Sequence, residues 1–129
     1  MKKENEAKAI AAAFENQLKV IKHKFESTIR YNKNSLKEDL QPLTYPGERR
    51  EQVEWYKKNL GDALYLSAYD QAETLWSYTN RIADYMKIEN FLDKYNTWEI
   101  KEKFRSEVTM EFEEAIREME EMFENLPFY

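Results

Sequence analysis

With 129 residues, 42% hydrophobic and 15% aromatic, the chain is long enough for one domain, residues 1–129, with a real core. Two glycines and three prolines are too few for the turns of a sandwich or barrel, and the lack of cysteine excludes disulfides, thiolate nucleophiles and cysteine-based zinc sites. The net charge of −5 is unevenly spread: residues 1–47 carry nine Lys/Arg against six Asp/Glu and residues 99–129 four against ten, an asymmetry that can steer partners or set how subunits pair.

The first helix is expected from about Lys3 to Asn32. Ala7, Ile10, Ala11, Phe14, Leu18, Ile21, Phe25 and Ile29 recur at helical spacing and form one core-facing stripe. Lys19, Lys22, His23, Arg30 and Lys33 fall on a neighbouring polar stripe. The apolar run Ala9 to Phe14 is closed by Glu15, too short for a signal peptide, and nothing approaches a membrane span. The expectation is a cytoplasmic protein without a membrane partner.

Asn32-Lys33-Asn34 should end that helix. Ser35-Leu36-Lys37-Glu38 then has the form of a capping box opening a short turn, which Pro42 and Pro46-Gly47 close. Leu36, Leu40, Leu43 and Tyr45 would pack this long connection.

A second helical region starts near Glu48. Val53, Tyr56, Leu60, Leu64, Leu75, Tyr78, Ile82, Tyr85 and Met86 hold one phase, and Tyr65, Tyr69, Ala72, Trp76 and Ala83 form a second stripe about 120° away at 100° per residue. An unbroken helix over 48–88 would be about 60 Å long. Gly61-Asp62 offers a break, with Gly61 capping one helix and Asp62 starting the next. Residues 89–96 are off phase. Asn96-Thr97, with Glu99 three after Asn96, marks the start of a last helix that runs to about Asn125. Its core face is Phe104, Val108, Phe112, Ala115, Ile116, Met119, Met122 and Phe123, and Pro127 ends it. The fold class is therefore all-α: an antiparallel helical bundle of three long helices plus one or two short ones.

No motif carries chemistry. The one histidine, His23, lies on a polar face with no second histidine or cysteine to share a metal, and two distant glycines cannot make a phosphate loop. No metal and no cofactor is expected, and no catalytic residue is assigned. Leu60-Gly61-Asp62-Ala63-Leu64 resembles the Gly-Asp segment of MazG-type nucleotide pyrophosphatases, which implies a magnesium site on facing helices. The pattern requires an acid where Asn59 stands, and a Glu-x-x-Glu farther upstream than Glu51 and Glu54.

Function must then be read from surfaces. Nine tyrosines and three tryptophans are many for a helical bundle and suit an interface, since each combines a large rigid face with a polar tip. Tyr65, Tyr69 and Trp76 on the second stripe, with Phe128 and Tyr129 at the tail, are the candidate partner-binding residues. The leading reading is a non-enzymatic protein-binding module, of the style of a small phage or mobile-element inhibitor or immunity-type protein. It would mask a host factor through helical faces, or pair with itself as a homodimer. A second reading makes the glutamates of the last helix a nucleic-acid mimic that occupies a host defence nuclease. The magnesium-dependent pyrophosphatase is third. Direct nucleic-acid binding is not expected, because the basic stripe is short and Glu26 interrupts it.

Overall fold

The computed structural model describes residues 2–40 and 46–124. Of these, 94% are helical and none lies in a strand. Helix α1 spans Lys2–Asp39, α2 Pro46–Asp62, α3 Asp70–Tyr85, α4 Phe91–Tyr95 and α5 Thr97–Glu124. Between α2 and α3 lies a π-helical segment, Ala63–Tyr69, so that the backbone stays helical from Pro46 to Tyr85.

Side-chain pairs fix the topology. Asn59 and Tyr56 of α2 bond to Asn32 and Asp39 of α1, and Lys3 reaches the Lys87 carbonyl beyond α3, so the central helix runs antiparallel to α1. Lys22 pairs with Glu107 and Lys33 with Glu118, so α5 runs parallel to α1. The core lies along the shared axis. Phe14, Phe25, Leu36, Leu60, Val108 and Met119 are fully buried there, each stabilising the fold by roughly 1.5–3 kcal/mol. A smaller cluster of Ala7, Ala11, Ala83 and Phe91 closes the other end.

The expected three-long-helix bundle is present, with one short helix, and four local expectations are corrected. Helix α1 does not stop at Asn32. Asn32 is buried, donates from Nδ2 to the Thr28 carbonyl at 2.7 Å and accepts from Asn59 at 2.6 Å, so its amide serves the interior and not a cap. The stripe then continues through buried Leu36 and Leu40, and Ser35 to Glu38 remain helical instead of forming a capping box. Pro42, Leu43 and Tyr45 lie outside the described residues.

Gly61-Asp62 is not a break. Asp62 has ordinary helical dihedrals (φ −61°, ψ −41°) and the helix passes straight through. The change comes just after, where the Asp70 N–H donates to the Tyr65 carbonyl, five residues back instead of four. That wider turn accommodates one extra residue, which in a regular α-helix would rotate all that follows by about 100°. The core face accordingly passes from Leu60 and Leu64 to Ala68, Ala72, Thr79 and Ala83. Tyr78, Ile82 and Tyr85, expected in the core, are exposed instead.

The off-phase stretch after α3 is two tight corners. Lys87, Asn90 and Asn96 have φ of 57°, 56° and 48°, a left-handed conformation that asparagine tolerates better than most residues. These corners isolate α4, which tucks Phe91 under Ala83. Helix α5 then starts at Thr97, as anticipated, and buries Phe104, Val108, Ala115 and Met119 with Phe112, Ile116, Met122 and Phe123 packed beside them.

Candidate functional site

Because the π segment turns Tyr78 and Ile82 away from the axis, α3 presents a second apolar face. It meets a second face of α1, beside the core stripe. Together they form an open groove of about 570 Å³. Ile10, Ala13, Gln17, Val20 and Lys24 line one wall and Gln71, Thr74, Tyr78 and Ile82 the other. Phe14, Ile21, Leu75 and Thr79 contribute from the core side, and Asp70 stands at the Lys24 end. Val20 is 44%, Tyr78 62% and Ile82 42% exposed, which is high for large apolar side chains that neighbour one another.

The expected aromatic stripe is divided. Tyr65 is exposed and meets Tyr69 edge to face. Tyr69 and Trp76 are half-buried under α5. Thr109 gives its hydroxyl proton to the Arg105 carbonyl, so Tyr69 donates to the Thr109 oxygen, and the Arg105 guanidinium lies 4.3 Å from the Tyr69 ring centre. Trp76 Nε1 donates to Thr97 Oγ1 at 3.2 Å. Lys101 is buried, with its ammonium 4.2 Å from the Trp76 ring and 2.8 Å from the Glu73 carboxylate. The polar tips of Tyr69 and Trp76 are thus satisfied within the chain. Phe128 and Tyr129 lie outside the described residues.

The charged faces also meet each other. Lys22 bonds to Glu107 at 3.0 Å and reaches Glu111 at 3.8 Å; Lys33 bonds to Glu118 at 2.5 Å and Lys57 to Glu120 at 2.9 Å. The hydrogen bond to Glu107 raises the Lys22 pKa, and Lys33 holds the Glu118 carboxyl below its ordinary range. Burial, and then the nearby Glu26 carboxylate, push Glu111 up. Lys22 and Lys33, two lysines of the basic stripe, therefore face glutamates of the last helix within one chain. Glu51, Glu54 and Asp62 are exposed along α2, and among the described residues no group of three or more His, Asp or Glu is placed to hold a metal.

No family model matches this chain, and neither a curated protein nor a solved structure resembles it. The groove therefore has to be read from its own geometry.

Its residues were only partly anticipated. Helical phase puts Tyr78 and Ile82 in the core, and Ala13, Gln17, Val20 and Lys24 fall outside the core stripe of α1. Two signals mark them. Along α1, Glu6, Ile10, Ala13, Gln17, Val20 and Lys24 recur at alternating spacings of four and three, directly beside the core stripe. In the central helix Tyr56, Leu60, Leu64, Ala68, Ala72 and Trp76 recur every four residues, a period longer than the helical one of about 3.6 that only a locally widened turn can hold on one side.

Proposed function

We propose that this chain is a non-enzymatic docking module that holds a helix of another polypeptide in the α1/α3 groove and acts by masking it. The observation that carries the reading is the open apolar groove itself, with Val20, Tyr78 and Ile82 exposed along it. Two parallel walls at helical spacing offer ridges on both sides, the geometry in which an amphipathic helix buries its apolar face. One end of the groove carries Lys24 and Asp70, which would set the direction of the incoming helix. The acidic last helix supports nucleic-acid mimicry less well. Glu107, Glu111, Glu118 and Glu120 already answer lysines of this chain, and Glu114 and Glu121 answer Arg117. No membrane partner enters the reading: among the described residues no helix is long and apolar enough to cross a bilayer.

A photo-crosslinking amino acid at position 78, in cells that naturally make the protein, tests this. A polypeptide adduct is expected from Tyr78 and not from the exposed α2 position Lys58. Equal labelling at both positions, or none at Tyr78, would refute docking in the groove.

A further inference from the structure

We propose that the helix filling the groove is α1 of a second copy of this chain, antiparallel to the first. This rests on the docking reading above and names its partner. Glu6, Ile10, Ala13, Gln17, Val20 and Lys24 lie within about 40° of one line along α1 at 100° per residue. The line reads the same from either end. Two antiparallel copies crossing beside Glu15 bring Ile10 against the second copy's Val20, Ala13 against its Gln17 and Glu6 against its Lys24.

The charges choose this arrangement over its alternatives. Neither Glu6 nor Lys24 has an ion-pair partner among the described residues, whereas Lys22 and Lys33 of the same helix are both engaged by α5. Antiparallel pairing joins Glu6 to Lys24 twice, once on each side of the two-fold axis. Parallel pairing would set Glu6 against Glu6 and Lys24 against Lys24. A slip of one heptad would face Lys24 with Ala13 and lose both pairs. Ala13 presents only a methyl group near the crossing, so the helices can approach closely there. The second α1 would also cover Tyr78 and Ile82 of α3, giving four helices around a new apolar seam. Each copy offers the same patch, so the contact closes at two.

Analytical ultracentrifugation across a concentration series reads the result. The unaltered chain should be a dimer. Lys24→Glu and Glu6→Lys should each weaken association about tenfold, since each turns two attractive pairs repulsive, and the two together in one chain should restore it. Far-UV circular dichroism checks that each variant remains helical. The native chain has no cysteine, so an Ala13→Cys chain mixed with a Gln17→Cys chain should cross-link more than either alone. A monomer at every concentration, or a charge swap that fails to restore the dimer, overturns the proposal. If the crosslinker at position 78 captures only a foreign polypeptide while the chain stays monomeric, self-pairing is overturned and the docking reading stands. If position 78 captures nothing, both are overturned.

Discussion

Deletion of Ser67 tests how the π segment aligns the two halves of the central helix. Without that residue the wide turn can close to a regular α-helix, and every later residue steps back one position, by the same ~100° that the wide turn had absorbed. Ala68, Ala72, Leu75, Thr79 and Ala83 would then follow Leu60 and Leu64 on the same side as before. Ser67 is exposed, so its loss removes no buried contact. Ordering one residue fewer contributes up to about 1–2 kcal/mol, and a regained helical hydrogen bond about 1 kcal/mol, against some strain in re-seating Tyr69. The expected change is about 0 to +2 kcal/mol, or roughly 0 to +8 °C in Tm for a domain of this size. Deletion of Asn16, also exposed, is the control. Helix α1 has no wide turn there, so Leu18, Ile21, Phe25 and Ile29 would swing off the core. At about 2 kcal/mol each this approaches the whole stability of a small domain. Thermal melts followed by circular dichroism compare the two. A fall of more than about 8 °C for the Ser67 deletion would refute the alignment argument.

Three further variants test the α5 contacts. Lys101→Ala should destabilise by about 2 kcal/mol, below the 3–5 typical of a broken buried pair because the abandoned Glu73 is half-exposed and can rehydrate; an unchanged urea midpoint would contradict this. The pKa of Glu111 is raised in the folded state, so its ionised form opposes folding at neutral pH, and the penalty disappears as pH falls through its folded value toward the unfolded one. Glu111→Gln should therefore raise Tm at pH 7 and lose its advantage near pH 4, whereas Glu118→Gln, at a carboxylate held low by Lys33, should lower Tm at pH 7 and converge with the parent in acid. Equal shifts at both pH values for either variant would disprove the corresponding assignment.

Helix identity and most of the core were legible from periodicity, because burial repeats with the helix. Phe14, Leu18, Phe25, Val108 and Met119 sit where their spacing put them. Local signals misled where a residue's side chain had a tertiary use. Asn32 reads as a helix stop until Asn59 is known to lie opposite it. Gly61 reads as a cap, yet it merely leaves open space within a continuous helix. The exchange of faces beyond Leu64 was hidden for a different reason. Residues in phase at 3.6 per turn are aligned only if every turn is an α-turn, and one π turn reassigns them all. Tyr78 and Ile82 therefore look like core, and the groove they help to form shows in the sequence only through the row beside the α1 core stripe and the every-fourth recurrence in the central helix.

The same offset of 85 residues separates Lys22 from Glu107 and Lys33 from Glu118. The two lysines and the two glutamates are thus ruled with one interval along parallel rods, like matching marks on two scales. Slide α5 by one turn in either direction and only one mark meets its counterpart: Lys33 comes opposite Met122, or Lys22 opposite Lys103. Slide it by two turns so that Lys22 faces Ile100, and a mark is lost again. Apolar seams repeat and would accept several of these positions with similar burial, whereas the charges agree at one. They select among near-equal packings more than they add to the strength of any, and a chain stripped of them would be expected to keep its helices while losing a unique axial setting between the first and the last.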